Sequence, residues 1–561
     1  MLRQASPWRA VLTARLFLLK MVTALVAGVA HAASLAWPLP SEVSLLALLG
    51  LRHGQPVWWL QLLALGGLAW LLDVLRDADP ADRGNGGWRL AVVLSWLFTT
   101  AWLASTFWWT YVAMHTYGGL PAVLTALAVI LLAGLLALYY AAVCGLFMAL
   151  APVNKAGAAI IFAAFWLLAE MARGIWLTGF GWGAAGYAHV DGPLAGLAPW
   201  VGAYGLCFVA AWLAMTLAQA VRGPVWRSRG VALAVALVVL AQPTLNQGGG
   251  SDPAKSTGRL AVTLLQGNIP QDEKFESGSG VPLALQWYGE QLQKSSTSLV
   301  VAPETAIPLL PQQLPPGYWA ALQQRFATGQ QAALIGMPLG NLESGYTNSV
   351  VGFQPGQAQP ARYDKHHLVP FGEFIPPLFK WFTAMMNIPL GDFNRGALAQ
   401  PTFDWQGQRL APNICYEDLF GEELGQLFAD PAKAPTIFVN ISNLAWFGDS
   451  MAMDQHLQIA RMRALEFQRP FVLATNTGTT AIVDHQGRVI STLARNTRGV
   501  LVGEVEGRSG VTPFAWWVAR FGLWPFWLLV SLAVLLVART GWRQRHAGAV
   551  AFQQGSPAEH P

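Results

Sequence analysis

The sequence predicts a polytopic α-helical membrane protein that carries one extramembrane α/β domain, and three observations lead there. Of its 561 residues, 54% are hydrophobic and only 12% charged. The apolar residues fall into blocks of about 20, the length that crosses a hydrocarbon core roughly 30 Å thick. One stretch, 258–511, breaks this pattern by alternating strand-like runs with amphipathic helical ones, which implies a layered α/β unit. Length agrees, because a single hydrophobic core rarely accommodates so long a chain.

Taken in order, spans are expected at about 10–31, 57–75, 89–113, 121–150, 156–175, 195–220 and 230–245, with an eighth at 521–538. The stretch 43–51 is too short to cross unaided and follows Pro38 and Pro40, so it reads as a re-entrant or interfacial piece. The first block lacks a small-residue cleavage site and reads as a span. Charge sets the orientation. With the N-terminus inside, the cytoplasmic ends carry Arg3 and Arg9, then Arg76, Arg83 and Arg89, then Lys155, then Arg222, Arg227 and Arg229, and finally Arg539, Arg543 and Arg545. The outer loops 114–120 and 177–194 hold no Lys or Arg, so positive charge marks the inside. The expected organisation is therefore a seven-span bundle (1–250), an outer domain (258–511), a returning helix (512–545) and a polar tail (546–561). The net charge of +5 follows from this topology, and with no basic stripe present no nucleic-acid partner is expected.

Within the outer domain, 260–268, 299–304, 332–338, 436–442, 471–476 and 480–490 read as β-rich, the last with a turn at His485–Gly487. Residues 454–469 read as a helix, with Leu457, Ala460, Met462 and Leu465 near helical spacing. A Gly- and Ser-rich linker, 246–258, leads into the domain.

Three short stretches carry chemistry. Cys415 follows an apolar run and precedes polar residues, where a strand ends and a turn exposes a side chain. A lone thiol there is either a small core hydrophobe or a nucleophile awaiting a base or a cation. Cys144 and Cys207 lie inside apolar segments, so no disulfide framework is expected. Glu304 closes the buried-strand pattern of "VVAPETAIP" (300–308), where desolvation favours a useful general base. In "YDKHHLVPFGEFIP" (363–376), Lys365 and Glu373 bracket an apolar turn, and a lysine near a reacting carbonyl stabilises a developing oxyanion. Each also reads as an ordinary solvated charge, and Glu417 as half of a surface salt bridge worth little.

Taken together, the order Glu, Lys, Cys at strand ends resembles the nitrilase or carbon–nitrogen hydrolase superfamily, and more closely its membrane-anchored branch, the apolipoprotein N-acyltransferases. The stretches that carry the resemblance are "WLTGFGWGAAGYAHVDGPLAGLAP" (176–199), "LLQGNIPQ" (264–271), "PETAIP" (303–308), "YDKHHLVPFGEFIP", "ICYED" (414–418), "SNLAWFGDS" (442–450) and "HLQIARMRALE" (456–466). It implies a nitrilase-like α-β-β-α sandwich with Cys415 as nucleophile, Glu304 as general base and Lys365 as oxyanion stabiliser. Glu373 and Glu417 are implied as supporting carboxylates, with Glu417 orienting Lys365, and Tyr416 as a neighbour shaping the pocket. Phe275, Trp446, Phe379 and Trp381 are implied as substrate or lid residues. Two positions depart from the family pattern: Phe275 stands where the family has Trp, and Leu444 where it has Asp.

The resemblance also implies a two-step acyl transfer. A fatty acyl chain passes from a phospholipid, typically from sn-1 of phosphatidylethanolamine, to Cys415 as a thioester, and then to the α-amino group of a diacylglyceryl-modified cysteine at a lipoprotein N-terminus. The enzyme is expected to be a monomer in the bacterial inner membrane with its catalytic domain on the periplasmic side. It needs no cofactor and no metal; His366-His367 has no convergent ligand partners in sequence. The segment 374–391 reads either as a lid touching the membrane, with Phe379, Trp381, Phe382, Met385 and Met386 as its apolar surface, or as a loop packed on its own domain. Glu170 and Arg173 read either as a headgroup contact or as partners of each other. Two other functions compete: an amidase acting on small carbon–nitrogen substrates with the same triad, and a transporter or receptor whose outer domain only binds.

Overall fold

The computed structural model describes residues 7–40, 50–77, 87–223, 255–375, 393–537 and 539. Among them six helices are long and apolar enough to cross a membrane: α1 (Pro7–Leu35), α2 (Trp58–Asp77), α3 (Gly87–Thr106), α4 (Ala122–Leu150), α5 (Lys155–Ile175) and α6 (Ala198–Val221). On α4, Leu124, Leu127, Ile130, Leu131, Leu135 and Leu138 are exposed. Such an apolar outer face suits a helix whose solvent is lipid. The expected span at 230–245 and most of the re-entrant stretch at 43–51 lie outside the described residues.

One end of the bundle is closed by charge. The Asp73 carboxylate, fully buried at the end of α2, receives Lys155 at 3.0 Å from the start of α5 and Arg222 at 2.5 Å from the end of α6. Three helix ends meet there, because a buried carboxylate is tolerated only when paired. At the other end α3 stops at Thr106, short of the expected 113. Hydropathy extends the span through Phe107, Trp108 and Trp109. In the fold, however, the freed Thr106 carbonyl accepts from Gln455 Nε2 at 3.4 Å, and the Trp109 indole N–H donates to Gln455 Oε1 at 3.0 Å.

Among the described residues the second unit contains twelve strands. β1 (Ser256–Gln266), β2 (Leu299–Ala302), β3 (Ala332–Asn341), β4 (Gly345–Phe353), β5 (Ala361–Asp364) and β12 (Gly499–Arg508) form one sheet in the order β12-β1-β2-β3-β4-β5. β6 (Phe403–Trp405), β7 (Gln408–Ile414), β8 (Ile437–Ser442), β9 (Phe471–Thr475), β10 (Ala481–Val483) and β11 (Val489–Thr492) form the other, ordered β11-β10-β9-β8-β7-β6. At the centre of each, β1-β2-β3 and β7-β8-β9 run parallel.

Side chains alternate across each strand. Leu260, Val262 and Leu264 of β1 pack with Ile437, Val439 and Ile441 of β8 between the sheets. Leu265, Val300, Ala302 and Ile335 instead face α7 (Gly280–Lys294) and α8 (Tyr318–Ala327). The far face of the second sheet is covered by α9 (Met451–Phe467), which packs in turn on Ala164, Leu167 and Met171 of α5. The result is the four-layer α-β-β-α arrangement, with its last helical layer seated on the membrane bundle.

The expected eighth span is a bent pair: α10 (Pro513–Phe521) and α11 (Trp524–Val537) meet at 84°. The bend falls at Gly522, whose φ of 53° suits glycine. Phe514, Ala515 and Val518 of α10 are buried against the α/β layers, so this turn of helix belongs to the packing before the chain enters lipid.

Candidate active site

Two parallel strands end in strained turns. β2 runs into Pro303 and Glu304, and Thr305 takes φ 47°. β7 runs into Cys415, which itself has φ 51°. An L-residue held there costs about 1–3 kcal/mol and persists where surroundings over-determine it. Those surroundings are polar: Lys274 Nζ donates to the Glu304 main-chain oxygen at 3.0 Å, and Asn440 Nδ2 to the Cys415 oxygen at 3.1 Å. His456, packed behind the thiol turn, lies 3.1 Å from Asp418.

Lys365 begins the segment after β5, and it is 1% exposed. Its Nζ sits 2.9 Å from the Glu373 carboxylate and 3.4 Å from Glu304 Oε1. Glu304 Oε1 also accepts from Asn348 Nδ2 at 2.7 Å, and Oε2 accepts from the Asn443 N–H at 2.9 Å. Glu373 accepts from the same Asn348 nitrogen at 2.8 Å and from the Val369 N–H at 2.8 Å. One ammonium thus lies between two carboxylates, bridged by one amide.

Burial opposes the charge on Lys365, but Glu373 and then Glu304 outweigh it and hold the ammonium well above the usual lysine range. The Cys415 thiol moves the same way for a different reason. Burial, then the Glu304 charge, raise it well above its ordinary value, while Lys365 pulls it down. The resting sulfur is therefore a thiol that requires a base. Lys274 is brought down to about 8 by burial, against the upward pull of Glu304 and Cys415.

Glu417 does something other than orient the ammonium. Among the described residues its Oε1 accepts from the N–H groups of His366 (2.6 Å) and His367 (3.1 Å), and its Oε2 from the Ile414 N–H (2.6 Å) and the Tyr363 hydroxyl (2.8 Å). The carboxylate is saturated by donors from both chain segments, so it ties the backbone beyond Lys365 to the backbone before Cys415. Tyr416 points away along another line: its hydroxyl donates to the Gly179 oxygen at 2.9 Å, and its ring stacks on Phe180.

The remaining sequence candidates sit further out. Phe275 is 47% exposed beside Lys274. Trp446 meets Tyr117, from the segment between α3 and α4, edge to face at 5.7 Å. Leu444 is fully buried, so the position accommodates an apolar side chain. Phe379 and Trp381, with most of the proposed lid, lie outside the described residues. Glu170 and Arg173 pair with each other at 2.9 Å, both buried. Arg173 also donates to the Phe180 and Trp182 oxygens at 2.6 and 2.7 Å, and so holds the loop that Tyr416 touches.

Sequence reasoning overlooked Asn348, Asn440 and His456. Asn440 sits among apolar residues of its strand, in "FVNIS", whereas Asn348 lies between Thr347 and Ser349 in "TNSVV"; both are buried. A buried amide inside a strand must find partners, and that is the signal that was available.

The Carbon-nitrogen hydrolase family model matches residues 261–513, and the Apolipoprotein N-acyltransferase N-terminal domain model matches 44–216. The apolipoprotein N-acyltransferase of Verminephrobacter eiseniae is 57% identical over 515 residues, covering 89% of this chain and 92% of that protein. Its counterpart from Ralstonia nicotianae is 44% identical over 513 residues, covering 90% and 94%. That of Bordetella bronchiseptica is 38% identical over 553 residues, covering 91% and 98%.

Proposed function

Because this chain belongs to the apolipoprotein N-acyltransferase family, we propose that Glu304, Lys365 and Cys415 form its acyl-transfer centre. The chain is a multi-pass membrane enzyme that N-acylates lipoproteins. The observation that carries the site is the buried Lys365 ammonium set between Glu304 and Glu373, with its charge and that of Glu304 both bearing on the Cys415 thiol.

In the first step Glu304 takes the thiol proton as sulfur attacks the ester carbonyl of a phospholipid, the sn-1 ester of phosphatidylethanolamine in this reading. Lys365 stabilises the oxyanion. The C–S bond forms, the ester C–O bond breaks, and the lysophospholipid leaves as an alcohol that takes its proton from Glu304. In the second step the α-amine of the diacylglyceryl cysteine attacks the thioester carbonyl. The C–N bond forms, the C–S bond breaks, and Glu304 accepts the amine proton and passes it to the leaving sulfur, so the thiol is regenerated. Splitting the transfer this way gives ping-pong kinetics.

In this reading residues 1–250 hold the enzyme in the bacterial inner membrane, 258–511 perform the chemistry on the periplasmic side, 512–545 return the chain and 546–561 form a cytoplasmic tail, and the enzyme works as a monomer. The orientation draws support from the Asp73 cluster, since Lys155 and Arg222 meet at the bundle end away from the catalytic layers. An amidase using small substrates is not favoured, because the relatives that share both the bundle and the domain are acyltransferases.

Intact mass spectrometry tests the reading. Purified protein mixed with phosphatidylethanolamine should gain one fatty acyl group that is lost on adding a diacylglyceryl-cysteine peptide, and Cys415→Ala should gain none. An unmodified wild-type protein that still transfers acyl chains would refute the covalent route.

A further inference from the structure

Glu304 accepts a proton more readily the less its charge is taken up by Lys365, and Glu373 lies on the other side of the same ammonium. Asn348 lies at this point. Its Nδ2 donates to Glu304 Oε1 at 2.7 Å and to Glu373 Oε1 at 2.8 Å, and its main-chain oxygen accepts the Lys365 N–H at 2.8 Å. One residue of β4 therefore touches the acid on each side and the backbone of the lysine between them.

The orientation of the amide is dictated by its neighbours. Turned over, its oxygen would face two carboxylate oxygens. As it stands, Oδ1 is buried with no hydrogen-bond partner among the described residues, so the site keeps both donors on the acids at the expense of the carbonyl. The distances also differ in the useful direction. Lys365 is closer to Glu373 (2.9 Å) than to Glu304 (3.4 Å), and at Glu304 Oε1 it shares the oxygen with Asn348, which lies nearer at 2.7 Å.

We propose that Asn348 is a positioning residue that fixes Glu304 and Glu373 on either side of Lys365 and keeps the ammonium on the Glu373 side, which leaves Glu304 available to act as base. This rests on the reading of Glu304 as that base. Lys365 and Glu373 face Glu304 from the segment after β5, Lys274 from the segment after β1, Cys415 from the end of β7 and His456 from α9. Asp364 and Arg362 lie beyond Ser349 and Thr347 on the neighbouring strand.

The test is the pH dependence of acyl-enzyme formation from phosphatidylethanolamine vesicles, followed by intact mass on the full-length protein in detergent. Wild type, Asn348→Asp, Asn348→Ala and Cys415→Ala are compared. An added carboxylate in Asn348→Asp should move the acid limb up by about one pH unit or more, because protonated Glu304 cannot act. Asn348→Ala should move it the same way by less. A uniform fall in rate with an unmoved acid limb in both variants would make Asn348 a packing residue and overturn the proposal. Should Asn348→Asp fail to fold, Asn348→Ala decides by the same criterion. Acylation of Cys415→Ala would instead overturn the underlying reading, and the proposal with it.

Discussion

The Tyr416 hydroxyl, one residue past the thiol, donates a 2.9 Å hydrogen bond to the Gly179 oxygen in the loop between α5 and α6. The neighbouring Thr178 oxygen lies 3.0 Å from His367 Nε2, two residues past Lys365. Both sides of the site therefore lean on the same membrane-bundle loop. Tyr416→Phe removes one such bond, worth about 1 kcal/mol. The acyl-transfer rate is expected to fall severalfold with a near-normal melting temperature; an unchanged rate would show that the bond is not used.

That loop is held by Arg173. Removing one partner of a buried ion pair leaves an uncompensated charge and costs about 3–5 kcal/mol. Arg173→Met is therefore expected to lower thermal stability sharply in detergent, and the Glu170→Gln, Arg173→Met double variant to recover part of the loss. A double variant as unstable as the single one would argue against the pair.

Glu417 accepts from four donors, the His366, His367 and Ile414 N–H groups and the Tyr363 hydroxyl. Glu417→Gln turns a four-acceptor group into one with a single accepting oxygen, stranding buried N–H groups at about 1–3 kcal/mol each. Tyr363→Phe removes one donor to the carboxylate and should cost about 1.5–3 kcal/mol, less than the several groups stranded in Glu417→Gln. Melting curves should rank wild type, Tyr363→Phe and Glu417→Gln in that order, with Glu417→Gln inactive.

Lys365 pulls the Cys415 thiol downward against burial and Glu304. In Lys365→Met the thiol should deprotonate less readily, and alkylation of Cys415 by iodoacetamide at pH 8 should slow by about tenfold or more, one pKa unit or more. Faster alkylation would mean that the lysine shields the sulfur instead of charging it.

Glu466, at the seam between catalytic layers and bundle, accepts from the Ala203 N–H at 2.6 Å and from Arg463 at 3.0 Å. Burial raises its carboxyl to about 7. The folded protein then binds a proton that the unfolded chain has released, so this contribution is complete below pH 4.5 and is lost as pH rises through 7. A shift of this size is worth about 3 kcal/mol. Between pH 5 and 8 the wild type should lose more thermal stability than Glu466→Gln, in which no proton is exchanged. Parallel curves would remove Glu466 as the cause.

Much of this organisation was legible in the residues. Apolar blocks marked the six described spans, the helix at 454–469 appears as Met451–Phe467, and the apolar runs ending at Pro303 and Ile414 put Glu304 and Cys415 at strand ends. Less legible were β4, in which Thr347, Asn348 and Ser349 break the apolar pattern, and β5, β6 and β12. β5 and β6 are only four and three residues long, and β12 is a half-exposed edge strand whose side chains keep no clear apolar alternation.

By itself the sequence determined the six described apolar spans, most of the central strands and the side chains at the ends of β2 and β7, because hydropathy and periodicity act over a few neighbouring residues. Only the tertiary structure decided that Asn348 bridges two acids, that Glu417 clamps backbone and leaves Lys365 to Glu373, and that Trp109 ends a span by turning to Gln455. Those partners lie 25, 51, 8 and 346 positions apart in the chain. Hydrogen bonds and ion pairs of such varied reach are set by strand register and helix docking, which no local pattern encodes.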